Sequence, residues 1–241
     1  MDFTITFPCR NRVGMANAAI KTFLDACDYP ILIIDDNSNE PDEEYIKCDR
    51  VRVIYNQSKS GLVKMWNQAL REIETEFVII GCDKIRVHTE DIDRIRRHLQ
   101  EGYACVASHL MGLFGFSKEL TTRIGFFDEG YSRNGFEDTD WLNKLFVNNL
   151  ALYISTETAY INNGTSWGPA AHENSKNYHA KWIEDNENKK IIQVGSDQNV
   201  GDKKTFAGLY KKRFYLPWHA SQLKAENIRK YYDGKTASVE I

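Results

Sequence analysis

Apolar and polar positions follow two different rhythms along the first hundred residues. Short runs rich in Val, Ile, Phe and Tyr predict four strands, at 3–7, 31–34, 51–55 and 77–81. The run at 31–34 is apolar at every position, which is typical of a strand buried on both faces of a parallel sheet.

The segments between these strands repeat their apolar residues every three or four positions and so predict helices. One helix runs from Val13 to Cys27, and a second opens at Gly61. We expect Thr89 to cap a third, with Glu90 and Asp91 in its first turn, where the helix dipole favours acids. Strands that alternate with helices in this way predict an α/β fold with a parallel sheet and right-handed crossovers.

The second half of the chain has a less regular pattern. Two short strands, within 103–108 and 113–117, follow each other with no long helix between them. A polar loop then leads into a helix marked by Trp141, which we expect in the core, and 151–154 predicts a further strand. The sequence therefore predicts a mixed, mostly parallel sheet flanked by helices, with irregular loops in its second half.

Polar clusters follow three of the predicted strands, at Cys9–Arg12, Asp35–Ser38 and Cys82–Lys84. Each cluster could be an ordinary turn, because Asp, Asn and Ser favour turns. In a parallel sheet, however, the carboxyl ends of the strands share one edge, and ligands bind there. No G-x-G-x-x-G follows the first strand, so a dinucleotide site is disfavoured.

Composition is that of an ordinary globular protein, with 42% hydrophobic and 27% charged residues in a chain of 241. No apolar run approaches the roughly 20 residues needed to cross a bilayer. The five cysteines are widely spaced with no C-x-x-C pair, which disfavours a zinc ribbon or a disulfide framework. Because the N-terminal residues also lack the pattern of a signal peptide, we expect a cytoplasmic protein.

The net charge of −3 is unevenly distributed. Residues 203–231 hold eight Lys or Arg and one acid, a net charge of +7, which leaves −10 for the remainder. We therefore predict a main domain at 1–195 and a basic, aromatic-rich, helical C-terminal extension at 196–241. This extension could contact a membrane surface or another polyanion, or could dock on the acidic main domain.

Six motifs in this order resemble the family-2 glycosyltransferases of the GT-A fold, which has a Rossmann-like sheet. The resemblance covers residues 3–182 and rests on TITFPCRNR, IIDDNSNE, SGLVKMWNQAL, TEFVIIGCDKI, IGFFDEGYSRNGFEDTDW and AAHENSKNYHAKW. It implies an inverting transfer of a sugar from a nucleotide-diphospho-sugar to an acceptor hydroxyl. UDP is the default nucleotide of this family. The acceptor, whether a glycan, a lipid-linked group or a protein, and the oligomeric state stay open.

The resemblance assigns nucleotide binding to the first half of the chain. Asp36 matches the aspartate that accepts a hydrogen bond from the nucleobase, and Asp35 assists it or binds backbone N–H groups. The nucleoside-lining loop is Pro8–Arg12, in which Arg10 and Arg12 either pair with phosphate or remain solvated. Lys64, in the predicted helix of the motif SGLVKMWNQAL, is also assigned to nucleotide binding.

A divalent metal, Mn²⁺ or Mg²⁺, is also implied, because the family uses it to bridge the diphosphate oxygens. Asp83 matches the last acid of the family's D-x-D element, but the first acid is missing from Gly81-Cys82-Asp83. Lys84 could neutralise phosphate instead or point into solvent. His172 matches the downstream metal ligand, with His179 as a competitor.

Asp138 matches the general base of inverting members, with Glu137 or Asp140 as alternatives. Acids at a helix start could equally be plain capping residues. Asp128 and Glu129 are expected to contact the acceptor or the transferred sugar. A further candidate, Trp167, lies in a Gly-containing segment that is typical of a lid over the donor or of an ordinary turn.

Three alternative functions remain open from the sequence alone. A non-catalytic nucleotide-sugar-binding module of the same fold would explain the incomplete D-x-D element. A glycosyltransferase acting on DNA or another polyanion would explain the basic extension. A nucleotidyltransferase is disfavoured, because the first loop has one glycine where a phosphate loop would have several.

Overall fold

A computed structural model describes residues 1–40, 43–108, 111–131, 135–148, 150–155 and 169–182. The predicted domain boundary at 195 and 196, and the basic extension, lie outside these residues. The strands are β1 (Phe3–Cys9), β2 (Ile31–Asp35), β3 (Val51–Tyr55), β4 (Phe77–Ile80), β5 (Cys105–Ser108), β6 (Phe114–Ser117) and β7 (Leu152–Ser155). The helices are α1 (Val13–Ala26), α2 (Leu62–Glu72), α3 (Thr89–Gln100), α4 (Leu120–Ile124), α5 (Glu137–Val147) and α6 (Pro169–Trp182).

The seven strands form one sheet in the order β3-β2-β1-β4-β6-β5-β7. Every neighbouring pair is parallel except the two pairs that β6 makes with β4 and β5. The predicted mixed, mostly parallel sheet flanked by helices is thus confirmed. The short strands of the second half pair as β5 and β6, which explains why no long helix separates them.

Side chains of the central strands point alternately into two apolar cores, one on each face of the sheet. In β2, Ile31 and Ile33 join the core that includes Phe23 of α1, whereas Leu32 and Ile34 join the core that includes Trp66 of α2. All four are buried. The unbroken apolar run at 31–34 therefore reflects a strand covered on both faces, as predicted.

Several predicted boundaries hold, and two features differ. Gly61 is the residue that precedes α2, as expected. Thr89, however, is not a cap: it is the first residue of α3, and the capping position belongs to His88, whose backbone N–H donates to Asp91 at 3.0 Å. Helix α6 was not predicted, because its inward-facing residues include polar side chains such as Asn174 and Ser175, which weaken the apolar repeat.

None of the helices in the described ranges is long and apolar enough to span a membrane. All five cysteines are free thiols, so no disulfide constrains the fold.

Gly115 of β6 lies against α3, and the contact leaves no space for a side chain. A Cβ at this position would lie 2.5 Å from Cγ2 of Ile95 and 3.4 Å from the Val78 carbonyl oxygen. We expect Gly115→Ala to lower the free energy of unfolding by about 1–3 kcal/mol, as overpacked cores do. Chemical denaturation measures this loss.

A second substitution tests the cause of that loss. Ile95→Leu removes the branch at Cβ, and with it the Cγ2 atom that the new methyl group would meet. The double variant Gly115→Ala/Ile95→Leu should therefore be more stable than the sum of the two single effects predicts. Strict additivity would contradict the steric explanation.

Candidate active site

The ends of β1, β2 and β4 lie side by side, as the three polar clusters predicted. Cys9 and Asp35 are register partners at the ends of β1 and β2. The N–H of Gly81, just beyond β4, donates to the Thr6 carbonyl of β1 at 2.8 Å. Residues from all three clusters are therefore brought to one edge of the sheet.

The loops after β1 and β2 are joined by side chains that bind backbone groups. The Asn11 N–H donates to Ser38 Oγ at 2.8 Å, and the Asn39 N–H donates to Asn11 Oδ1 at 2.8 Å. Asn11 and Asn37 adopt positive φ angles of 53° and 60°, which Asn tolerates better than most residues. Glu40 supplies the missing partner for the start of α1 by accepting from the Val13 N–H at 2.8 Å.

Both aspartates at the end of β2 are buried and bind protein donors. Asp35 accepts from the Ser38 N–H at 2.7 Å and from the Tyr45 hydroxyl at 2.6 Å. Asp36 accepts from the N–H and the hydroxyl of Ser60 at 2.6 and 2.7 Å, and from the Gly61 N–H at 3.0 Å. Asp36 thus fixes the N-terminal end of α2 to the end of β2. Its role towards a nucleobase stays a prediction.

Hydrogen bonds keep Asp36 ionised. Burial alone would raise the pKa of this carboxyl, but the donors of Ser60 and Gly61 outweigh burial and hold the pKa below its usual value. The side chain of Arg10 contacts the backbone of Asp36: Arg10 Nε donates to the Asp36 carbonyl oxygen at 3.1 Å. The predicted nucleotide residues Arg10 and Asp36 are therefore direct neighbours.

A cleft of about 260 Å³ opens where α2 meets the loop before α5. It contains two of the predicted site residues, Lys64 and Glu129, and its lining is Lys59, Ser60, Gly61, Val63, Lys64, Glu129 and Tyr131. Asn67 of α2 positions that loop by donating to the Phe127 carbonyl and to Glu129, both at 2.9 Å. Sequence reasoning missed Asn67, because its partners lie 60 and 62 positions away.

Asp83 lies at the end of β4 and faces a cation. Its Oδ2 is 3.4 Å from Nη1 of Arg12, whose side chain is 49% exposed. Gly81 stands where the D-x-D pattern has its first acid, and Cys82, between Gly81 and Asp83, carries a thiol whose pKa burial raises to about 11, so the thiol is neutral near pH 7. The loops after β1 and β4 therefore meet through one carboxylate and one guanidinium.

Among the residues at the ends of β1 and β4, one side chain is a suitable ligand for a divalent metal. The Asp83 carboxylate is a hard oxygen donor of the kind that Mn²⁺ and Mg²⁺ prefer. Within the described ranges, however, no three His, Cys, Asp or Glu side chains come together as a metal-binding group. His172 and His179 belong to α6, but their side chains lie outside what the structure describes, as does all of Trp167.

Glu137 and Asp138 open α5 in different environments. Glu137 is buried, and its Oε2 has no hydrogen-bond partner among the described residues. Burial and then the charge of Asp138 raise the pKa of Glu137 well above its usual value. Asp138 is half-buried, and its Oδ1 accepts from the Thr139 N–H at 2.7 Å. Burial raises the pKa of Asp138 too, while Thr139 opposes that rise.

Asp140 holds neighbouring parts of the fold together. It is fully buried and its Oδ1 accepts from Trp182 Nε1 at 2.6 Å, Lys181 Nζ at 2.7 Å and the Tyr131 hydroxyl at 3.1 Å. Lys181 also contacts Asp128 Oδ2 at 2.7 Å. Asp140 and Asp128 therefore share one lysine, which attaches α6 to α5 and to the loop before it.

The turn into α5 is conformationally demanding. Gly135 and Phe136 have positive φ angles of 114° and 71°, and positive φ is unfavourable for a bulky residue such as Phe. Asn174 of α6 donates to the Gly135 carbonyl oxygen at 2.9 Å, which supports this turn. Trp141 follows it and is fully buried, stacked on Phe127 with ring centroids 5.0 Å apart, so the prediction of a core tryptophan is confirmed.

The raised pKa of Glu137 makes stability depend on pH. Below the pKa of the unfolded state the side chain is protonated in both states, and its contribution to stability is complete. As pH rises towards the folded pKa, folding requires proton uptake and costs about 1.4 kcal/mol per pH unit. We expect Glu137→Gln to match the wild-type melting temperature near pH 4 and to exceed it near pH 7.

Glu129→Gln is the matched control with the opposite sign. The hydrogen bond from Asn67, together with Arg71, lowers the pKa of Glu129, so its contribution exists above the unfolded pKa and is lost in acid. This variant should be slightly less stable than wild type near pH 7, and the difference is small because Glu129 is partly exposed. A pH-independent effect of Glu137→Gln on melting would contradict the assignment of a buried acid.

Comparison with solved structures identifies the same fold in glycosyltransferases. The mannosyltransferase PcManGT from Pyrobaculum calidifontis, solved with GDP-Man and Mn²⁺, has a TM-score of 0.57 at 15% identity over 74% of this chain and 59% of that one. GalNAc-T7, solved with UDP, GalNAc and Mn²⁺, has a TM-score of 0.68 at 13% identity over 89% of this chain and 55% of that one. The chain thus spans less than two thirds of either structure.

A third structure, glucosyl-3-phosphoglycerate synthase from Mycobacterium tuberculosis, has a TM-score of 0.52 at 15% identity over 68% of this chain and 73% of that one. These identities show a common fold alone. No curated protein matches the chain in sequence. The family model described as Glycosyl transferase family 2 matches residues 4–156, well over half of the chain. The chain therefore belongs to glycosyl transferase family 2, and this membership supports glycosyl transfer as its function.

Proposed function

We propose that this protein transfers a sugar from a nucleotide-diphospho-sugar to an acceptor hydroxyl with inversion at the anomeric carbon. The observation that carries the proposal is the pair of acids at the start of α5. Glu137 is buried and its Oε2 has no hydrogen-bond partner among the described residues, whereas Asp138 is half-buried and its Oδ1 accepts from the Thr139 N–H. Burial raises the pKa of both carboxyls and that of Glu137 further, so Asp138 is the one of the pair that ionises more readily and is available as a base.

Asp138 is the best supported base of the three acids in this segment. A general base must reach the proton that it removes and must be ionised when it does so. Asp140 is fully buried and already binds Lys181, Trp182 and Tyr131. Glu137 is buried and has the more strongly raised pKa. In the proposed reaction, Asp138 takes the proton of the acceptor hydroxyl as its oxygen attacks the anomeric carbon and the nucleoside diphosphate leaves.

The donor is proposed from the fold relatives and from the sheet edge. GDP-Man and UDP occupy the mannosyltransferase and GalNAc-T7 structures, which supports a nucleotide-sugar for this chain. The neighbouring Arg10 and Asp36 are the groups that we assign to the nucleoside side of that donor. Lys64 and Glu129 line the adjacent cleft and are assigned to the diphosphate and sugar side.

A divalent metal is part of the same proposal, because Mn²⁺ accompanies both of those relatives. Asp83 would hold it together with His172 of α6. Such an ion supplies Lewis-acid stabilisation of the leaving diphosphate.

Replacing the base should slow transfer strongly and leave donor binding intact. We expect Asp138→Asn to lower the rate of transfer by about 10²–10⁴-fold, the usual worth of a general base, and to leave the Kd for UDP unchanged. Product NMR should give an anomeric configuration opposite to that of the donor. Wild type that binds nucleotide but turns over no nucleotide-sugar would instead favour a non-catalytic binding module.

The pH profile of wild type gives an independent check. Since burial raises the pKa of Asp138, kcat/KM should fall with decreasing pH at a midpoint above the ordinary aspartate value of about 3.9. Retention of this limb in residual Asp138→Asn activity would assign the base elsewhere.

Substitution of the two histidines of α6 tests which of them is a metal ligand. We expect His172→Ala to weaken Mn²⁺ binding in the presence of UDP, as measured by electron paramagnetic resonance, and His179→Ala to leave it unchanged. The reverse result would move the ligand to His179, and unchanged binding in both variants would remove histidine from the metal site.

A further inference from the structure

The strand β3 is one edge of the sheet, so half of its backbone groups face away from β2. The Asn56 N–H, just beyond β3, donates to the Asp35 carbonyl oxygen of β2 at 2.9 Å. Because alternate residues of a paired strand face the same neighbour, the even-numbered residues of β3 bind β2. Val53 and Tyr55 therefore direct their N–H and C=O groups outward, where no strand of the described part of the chain lies.

A groove of about 490 Å³ lies beside this open edge. Its lining is Tyr45, Ile46, Lys47, Cys48, Asp49, Val51, Val53 and Tyr55. The odd-numbered residues of β3 thus contribute both the outward backbone groups and side chains of the groove. Tyr55 is 60% exposed, and it is the one strongly exposed aromatic side chain in the described ranges. An apolar edge strand of this kind is a template for pairing with another extended segment, and proteins usually cover such edges.

The segment that forms the second wall of the groove is acidic. Residues 43–49 contain the exposed carboxylates of Glu43, Glu44 and Asp49 and the single cation Lys47, so three negative charges against one positive leave −2. Lys47 is moreover paired with Glu44 at 2.7 Å. The charge that complements this groove is therefore positive, and a basic segment with apolar side chains fits it best.

This chain contains a segment of that kind outside the described residues. Residues 211–216 read Lys-Lys-Arg-Phe-Tyr-Leu, with a net charge of +3, and Pro217 follows. In an extended conformation Lys212, Phe214 and Leu216 share one face, which presents one cation and two large apolar side chains together. Pro217 lacks the N–H that would continue a ladder, so strand pairing would end at this residue.

The intervening chain is long enough for this segment to reach β3. Helix α6 ends at Trp182, whose indole N–H binds the same Asp140 oxygen as the Tyr131 hydroxyl. Tyr131 lines one cleft with Lys59, which lies shortly after the end of β3. The 28 residues between α6 and residue 211 can extend to at most about 90 Å, well beyond the roughly 40 Å width of a domain of this size.

We propose that residues 211–216 add as an extended strand to the open edge of β3 in the same molecule, with their apolar face in the groove and Lys212 beside its carboxylates. Tyr45 connects this contact to the candidate site, because it lines the groove and its hydroxyl donates to Asp35 at 2.6 Å. The C-terminal extension therefore braces the end of β2, and residues 211–216 are not available to a membrane surface or another polyanion.

The natural thiol of Cys48 reports whether the groove is covered. Cys48 lines the groove and is exposed, whereas the other four cysteines are buried or half-buried. Uncharged iodoacetamide is added to the native full chain, and alkylation of Cys48 is followed by mass spectrometry. Lys211→Glu/Lys212→Glu/Arg213→Glu should raise the rate by about tenfold or more, because a covered thiol reacts only in the fraction of molecules in which the segment is released.

The matched control reverses three other cations of the same extension. Lys224→Glu/Arg229→Glu/Lys230→Glu makes the same change in net charge, and its Cys48 should react as in wild type. Tyr55→Pro tests the contact from the side of β3, because it removes an outward N–H that β2 does not use. This variant should also expose Cys48, while its melting temperature stays close to that of wild type.

Disulfide trapping identifies the occupant of the groove. With copper phenanthroline as the oxidant, Phe214→Cys should form an intramolecular disulfide with Cys48, and Ser238→Cys, outside the basic segment, should form one much more slowly. A disulfide-linked dimer in place of the intramolecular bond would assign the groove to a second copy of the chain and overturn the proposal.

Two alkylation results would also overturn it: equal rates at Cys48 in wild type and in the variant of residues 211–213, or an equal increase in the control variant. Neither measurement uses a sugar donor or an acceptor. The proposed transferase function therefore stands or fails separately from the docking of the extension.

Discussion

Asp140 buries a full negative charge against Lys181, and the second half of the site depends on this ion pair. Breaking such a pair from one side costs about 3–5 kcal/mol, because the remaining charge stays buried. The pair joins α6, on which His172 lies, to α5, on which Asp138 lies. The attachment of α6 to α5 therefore depends on a carboxylate that is assigned neither of these two roles.

The first half of the site is built on a different principle. Its loops follow parallel strands, so the sheet brings them together before any side chain makes a contact. Side chains then bind backbone groups of the neighbouring loop. The two halves meet at the cleft, where Lys64 of α2 faces Glu129 and Tyr131 of the loop that Asn67 and Asp140 hold in place.

The sequence predicted the features that depend on local periodicity. The four strands and two helices of the first eighty residues lie where the apolar repeat places them, and the convergence of the polar clusters follows from parallel pairing. It could not predict that Glu40 would cap α1 or that Asp36 would bind Ser60 and Gly61, because these partners are 24 to 27 positions apart and share no repeat. Helix α6 was not predicted, because its buried face is partly polar.

The joined loops after β1 and β2 have a consequence for how tightly a ligand can be held. Asn11, Ser38 and Glu40 already fix the backbone of this wall through hydrogen bonds of 2.8 Å. The conformational entropy of these loops is therefore lost during folding and not when a ligand binds. A preorganised wall of this kind lets a small number of polar contacts produce useful affinity, since little of their free energy is spent on arranging the protein.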